Sequence, residues 1–498
     1  MSLRHIRHSN HPPSDLEAVS RDILDALGAE VQRVEKHAPK TRKTGSVYTG
    51  ITGPALMAHH LSFVIAQLEA PPGLSPNELL AFTDARLTQG LSLPPTALSN
   101  PSSGDHSSFL GTAVGIATLI LIRAVEHVSL TTTLSASPFR ESWASCAELL
   151  TSAVSMCLSE DRRHDADDGG CEVLYGRAGL LYALLRLRTE SKHNDTKPAD
   201  SNSGDLVKTI RELSSRAQIK LLVESIIQRG KSGAAIYAAR LARDLAAPPL
   251  MWTWHGKYYL GAAHGVAGIL HILLLCPADV IHPHMEPILR TVEWLIGCQD
   301  THGNWPTAAP LDPTEYRADK ELVQWCHGAP GILLLLCTVL RCATSNSPAL
   351  LLGKVISSIQ AGAALVYRHG LLSKGVGLCH GVAGSVFALL AVSDVLDRVH
   401  TNKNKLSNSD TTQPSDEEYS LMRAVHLAHL AVGHEALTAR GDMRVPDHPW
   451  SLYEGLAGMC CAWAEVLRRL AGLKQGLKCD RSGMPGFDDV VGDTWASW

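Results

Sequence analysis

The hydrophobic pattern of this chain is a repeat. A Gly-x-x-Gly pair opens an apolar run in YTGITGPALMAHHL (Gly50, Gly53), LYGRAGLLYALLRL (Gly176, Gly179), AAHGVAGILHILLL (Gly265, Gly268), WCHGAPGILLLLCTVL (Gly328, Gly331), LCHGVAGSVFALLAV (Gly381, Gly384) and LYEGLAGMCCAWAEVL (Gly455, Gly458). A seventh copy, FLGTAVGIATLILI, has Thr112 at the first glycine's place and keeps Gly115. The copies lie 53 to 89 residues apart. A period of roughly 60 fits a helical hairpin plus its loops better than the shorter solenoid repeats. Each run is apolar nearly all round, as a helix covered on both sides must be. The segments between are amphipathic. In SDLEAVSRDILDALGAEVQRV, Leu16, Val19, Ile23, Leu27 and Val31 share one face, and Ser14 with Glu17 reads as a capping box. Strand-like alternation is scarce.

Each repeat therefore predicts one outer amphipathic helix followed by one inner, buried helix. An open stack of such pairs needs polar caps at its ends, whereas the seventh copy stays apolar almost to the C-terminus. The expectation is an all-α fold, an α/α toroid with seven inner and seven outer helices, and all motif glycines at one end. The polar stretches near 189–205 and 400–418 read as insertions into a single domain spanning 1–498.

Composition narrows the function. With 45% hydrophobic residues, a net charge of −4 and no clustering of basic residues, the chain has no electrostatic footprint for nucleic acid. The opening MSLRHIRHSNHPPSD is polar, unlike a secretory leader, and Ser2 stands where myristoylation needs glycine. The apolar runs, such as APGILLLLCTVL, stop short of the ~18 to 20 residues of a membrane span. Twelve cysteines in such a chain are expected to be reduced thiols of a cytoplasmic protein, with membrane attachment not indicated.

Candidate chemistry lies just before the first motif glycine. Histidine takes that position in three successive copies, as His264, His327 and His380, and cysteine precedes it in two, as Cys326 and Cys379. Equivalent positions of adjacent repeats are neighbours in a toroid, so two thiols and an imidazole converge there. That donor set suits Zn²⁺, and helix N-termini favour thiolate. The alternatives are buried core cysteines, or a Cys379–His380 nucleophile and base, disfavoured because adjacent side chains point apart.

The stretches SVYTGITGPALM, LYGRAGLLYALL, YLGAAHGVAGI, QWCHGAPGI, GLLSKGVGLCHGVAG and PDHPWSLYEGLAG, spread from about residue 46 to about 458, resemble those of the eukaryotic LanC-like proteins, relatives of bacterial lanthionine cyclases. The resemblance implies the toroid, and a zinc held by Cys326, Cys379 and His380. Three ligands leave one tetrahedral position for a substrate thiol; a fourth from His327 or His264 would close the site. It also implies His264 as general acid/base, Glu172 as an acidic residue that orients or protonates, and Lys374 and Arg444 as cations that hold the carboxylates of glutathione. Arg4, whose local match is poor, stays outside the expected site.

The function so implied is enzymatic: zinc-dependent addition of glutathione to dehydroalanine or dehydrobutyrine in proteins or peptides, forming a thioether. The alternative is a non-catalytic glutathione or small-ligand sensor, or a signalling scaffold. A glycosidase on the same fold would want paired carboxylates at the mouth, where the repeats offer Glu172 and Glu454.

Overall fold

The computed structural model describes residues 4–38, 44–68, 74–93, 103–162, 169–193, 200–242, 245–312, 322–344, 347–397, 419–475 and 483–490. Among them it forms helices and no named strand. The inner helices of repeats 1 to 7 are Thr52–Ile65, Ala113–Thr131, Arg177–His193, Val266–Leu274, Ala329–Arg341, Val382–Val392 and Leu456–Gln475. Their outer helices are Leu16–His37, Pro76–Leu91, Trp143–Arg162, Arg216–Arg240, Met285–Gly297, Ala349–His369 and Ser420–Val432.

Each inner helix packs on the next, and the seventh packs on the first, which closes the toroid. The outer helix of repeat 1 likewise lies on the inner helix of repeat 7. The predicted face of Leu16–His37 is the buried one, carried by Val19, Ile23, Leu27 and Val31. Its cap differs from expectation: Asp15, not Ser14, accepts the Glu17 and Ala18 amides, because a carboxylate one residue nearer the first turn reaches them directly. A true capping box occurs instead at Ser75 and Glu78.

Two helices, Ala113–Thr131 and Ala349–His369, are long and apolar enough to cross a membrane, which corrects the expectation that no run reaches that length. The first is an inner wall and mostly buried; the second packs against the inner helices of repeats 5 and 6. Polar residues interspersed among the apolar ones lengthened both beyond the contiguous runs visible in sequence. Of the expected insertions, 400–418 lies outside the described residues. Of the other, residues 194–199 lie outside the described residues; 189–193 finish the inner helix of repeat 3, and Ser201–Leu213 forms a further helix capped by Asp200.

The second motif glycine has a steric cause common to all seven copies. A Cβ there would lie 1.9 to 2.5 Å from a backbone carbonyl oxygen six residues earlier, on the loop that enters the helix. The loop can fold back over the helix start only if no side chain intervenes.

One segment outside the repeats enters the ring. Residues 483–490 are largely buried, with Met484 and Phe487 fully so. The Tyr453 hydroxyl donates to the Pro485 carbonyl at 3.0 Å. Phe487 stacks on His271 at 4.3 Å and meets Trp325 edge-on at 5.2 Å. Asp488 pairs with His271 and Arg341, both at 3.2 Å, and Asp489 accepts from Tyr182 at 2.5 Å. Side chains of repeats 3, 4, 5 and 7 thus grip one short peptide, which fills the axis from beneath the motif loops toward the opposite end.

Gly268→Ala is expected to destabilise the protein by roughly 1–3 kcal/mol, because a backbone oxygen rather than a yielding side chain stands in the way; thermal unfolding measures it. Phe487→Ala is expected to cost roughly 3–5 kcal/mol by emptying a fully enclosed site, again read as a lowered unfolding midpoint.

Candidate metal centre

The motif loops are tied to one another at the mouth through their backbones. The residue two before the first motif glycine is the joint. Tyr48 donates to Leu110, Leu174 to Ala263, Cys326 to Cys379, Cys379 to Tyr453, and Tyr453 back to Tyr48. Ala262 donates to Trp325 in the same manner, and Phe109 to Gly179. Every pair of neighbouring repeats is therefore bonded, at 2.7 to 3.4 Å.

This belt brings the predicted ligands together. The amide of Cys326 donates to the carbonyl of Cys379 at 3.3 Å. One ligand atom each from Cys326, Cys379 and His380 lies within 4.8 Å of the others, and all three residues are buried. Neither His264 nor His327 joins this cluster, so the closed four-ligand arrangement is not formed. Cys326 also directs its sulfur at Gln324 Oε1, 3.6 Å away. Burial, and then the nearby Cys326 sulfur, hold the Cys379 thiol well above its usual range, with His380 acting in the opposite sense. Two thiolates this close and this dry are unfavourable unless a cation shares them. A divalent ion reverses that balance, so the donor set fits zinc. The other described cysteines form no disulfide, and Cys460 and Cys461 are fully buried in an inner helix.

One repeat away, His264 and Glu172 form a pair. Nδ1 of His264 is 2.9 Å from Glu172 Oε2. Glu172 is 1% exposed and also accepts the amides of Leu174 and Tyr175, at 2.8 and 2.6 Å. It is a buried partner of His264 rather than a surface glutamate. Burial pushes its carboxyl up, while His264 and the two amides oppose the shift. With Nδ1–H donated to the carboxylate, His264 keeps Nε2 for other partners.

An aromatic arc that the sequence reading did not single out surrounds this histidine. Trp254 stacks on His264 at 5.7 Å with ring planes 3° apart, and Tyr175 on its other neighbours at 6.1 Å from His264 and 5.7 Å from Trp254. Tyr175 occupies the same motif position as His264 and His380, so the repeat register carried the signal. Tyr48 was also missed. It stacks on Tyr453 at 5.1 Å, and burial with the Cys379 and Cys326 sulfurs holds its hydroxyl well above the usual phenol range.

His327 lies 6.3 Å from His264, ring to ring, and its buried Nδ1 has no hydrogen-bond partner. Burial, then the charges of His264 and Lys374, push it down to about 4. Lys374 thus acts on the same mouth. The amide of Arg444 donates to the Ser373 carbonyl at 2.8 Å, and the Ser373 amide donates to the Arg4 carbonyl at 3.1 Å. Lys374, Arg444 and Arg4 are all exposed and all flank one backbone residue. The structure thus brings Arg4, which the sequence reading left out, beside Lys374 and Arg444.

A helical toroid with a buried Cys-Cys-His cluster at its glycine-lined mouth is the arrangement expected of the lanthionine cyclase class. The family model described as lanthionine synthetase C-like protein matches residues 137–469, and the chain belongs to that family. Among curated relatives it is similar to the Danio rerio protein named glutathione S-transferase LANCL1, with 27% identity over 301 residues, 60% of this chain and 59% of the relative. It is also similar to the LanC-like protein GCL1 of Arabidopsis thaliana, with 28% identity over 318 residues, 62% of this chain and 59% of the relative. The matched regions span about three-fifths of the length of these relatives.

Glu172→Gln is expected to leave one acceptor oxygen for three donors. The His264 ring then loses its fixed tautomer, visible as a shift of its ring nitrogens in ¹⁵N NMR, with a stability loss of roughly 1–3 kcal/mol.

Proposed function

We propose that this protein is a zinc-dependent transferase that adds glutathione to dehydroalanine or dehydrobutyrine residues of proteins or peptides. The observation that carries the reading is the buried cluster of Cys326, Cys379 and His380, with the Glu172–His264 pair one repeat away and Lys374, Arg444 and Arg4 gathered around the backbone of Ser373, in the segment that leads to Cys379. The relative named as a glutathione S-transferase supports the choice of thiol.

Zinc held by Cys326, Cys379 and His380 supplies Lewis acidity that favours the thiolate form of an entering thiol at neutral pH. The chain's own residues do the rest. Lys374, Arg444 and Arg4 bind and orient the two carboxylates of glutathione. Glu172 holds His264 by Nδ1–H, so that Nε2 takes up the proton the thiol gives up and then delivers it. Sulfur bonds to the β-carbon of the alkene, the π pair moves to the α-carbon, and that carbon takes a proton. The thiol has then added across the double bond with no other product. The stacked faces of Trp254 and Tyr175 restrict the ring of His264 while it does so.

Incubation of the zinc-loaded protein with glutathione and a dehydroalanine peptide is expected to give a 1:1 adduct by mass spectrometry. Cys379→Ala is expected to lose both the bound zinc, measured by elemental analysis, and the adduct. Glutathione binding without adduct above the protein-free rate would overturn the enzymatic reading in favour of a sensor or scaffold.

A further inference from the structure

The N-terminal residues 4–8 lie as a strap along the segment that carries Lys374. Ile6 donates to the Leu371 carbonyl at 2.7 Å, Ser373 donates to the Arg4 carbonyl at 3.1 Å, and His5 bridges Leu372 in antiparallel sense. A strap this short, bonded to a single edge, has little to hold it by backbone alone. Ile6 packs partly on the core, and the remaining side-chain anchors are histidines. The His5 ring stacks on His369 at 4.0 Å with planes 12° apart. His8 meets the Tyr367 ring and the His426 ring edge-on, each at 5.4 Å, and its Nε2 lies 2.9 Å from the Tyr367 carbonyl oxygen. Tyr367 in turn bonds His426 Nδ1 at 2.7 Å.

We propose that His5 and His369 are positioning residues which latch the strap, and with it Arg4, at the mouth only while their stacked rings are neutral, so that the protein loses its grip on an anionic thiol cosubstrate as the solution turns acidic.

The charged surroundings set the direction. The groups acting on His5 are Arg7 and His8; those on His369 are His5, Arg368, His302 and His8. Asp300, near His302, spends one carboxylate oxygen on the His302 and Asn304 amides. Around His426 stand His8, His429 and His11, with Arg423 over the Tyr367 ring and Asp22 paired to His429 at 2.9 Å. A proton on His5 or His369 therefore meets mainly positive neighbours. Burial, then His5, pushes His369 down to about 4, and burial, then His8, does the same to His426. His8 Nδ1 lies 2.7 Å from the Ser9 carbonyl oxygen, so each of its ring nitrogens faces an acceptor.

The sign follows. A docked ring at about 4 that returns on release to an ordinary value of about 6.5 takes up a proton on release. Docking is then at full strength above about pH 6.5 and weakens as pH falls toward 4. For His369 alone the docking constant drops about tenfold between pH 7.5 and 5.5.

The latch itself is tested on the full-length protein without cosubstrate, by hydrogen exchange at the Ile6 amide, whose protection reports docking. Protection is expected to fall at least about tenfold from pH 7.5 to 5.5 in the wild type, and about tenfold less in His369→Phe, which keeps a ring for stacking but has no proton to gain. Equal falls in the two proteins would overturn the proposal. The consequence for binding rests on the glutathione reading above, and is measured with S-methylglutathione, whose sulfur has no proton to lose. Its affinity is expected to follow the Ile6 protection in the wild type and to be weak and independent of pH in Arg4→Ala. An affinity that ignores a demonstrated opening of the strap would overturn the assignment of Arg4 to the cosubstrate while leaving the latch standing.

Discussion

The belt of backbone hydrogen bonds at the mouth is the constraint on which the rest depends. An inner helix in a toroid has freedom to slide along its neighbours, since apolar faces specify register weakly. The N–H···O=C bonds from one motif loop to the next remove that freedom, because each loop must present a donor and an acceptor at one height. The joint residue in repeats 5 and 6 is a cysteine. The two candidate ligand sulfurs are therefore placed by the same bonds that close the ring, and the accuracy of the candidate metal centre is inherited from closure. The tight glycine behind each loop serves the same end, by letting the loop fold back onto its helix.

Around this frame the chemistry is divided by repeat. Repeats 5 and 6 carry the sulfur and imidazole donors; repeats 3 and 4 carry the buried carboxylate and its histidine; the loops before repeats 6 and 7, with the N-terminal strap, carry the cations. Because the groups come from separate turns of one ring, each can be tuned without disturbing the others. Glu172 shows the principle. Its three donors come from its own loop and from His264 alone, and none comes from the cysteine cluster.

Much of this was legible in the sequence. The seven copies of the glycine motif, read with their helical periodicity, were enough for a toroid, and aligned positions before the glycine brought two cysteines and a histidine together; that Cys326 and Cys379 join with His380 rather than His264 or His327 came from the resemblance. The resemblance marked Glu172 and His264 separately, and their pairing came from the structure. What stayed hidden shares a cause: it depends on backbone bonds or on contacts outside the repeat. The strap at residues 4–8 pairs through amides and carbonyls as well as through its histidine rings, and the backbone part leaves no side-chain pattern, so Arg4, with its poor local match, was left outside the expected site. The segment at 483–490 has too few residues to show a period, and its burial is imposed by helices hundreds of positions away. Trp254 lies between repeats, where register gives no guide to what it will stack upon. The helix cap at Asp15 was misread because two adjacent residues both suit the position, and only local backbone geometry chooses between them.

The peptide along the axis has a last consequence. With Phe487 and its carboxylate neighbours filling the middle of the ring, the molecule has a floor as well as a mouth. On the proposed reading, a polypeptide substrate would not thread through the ring; it would offer a side chain at the mouth, on a loop, a terminus or an unfolded stretch. Two reactants sharing that doorway would also constrain each other's timing. The smaller would be seated first, against the cluster, with the larger laid over it, and their joined product would leave before another round.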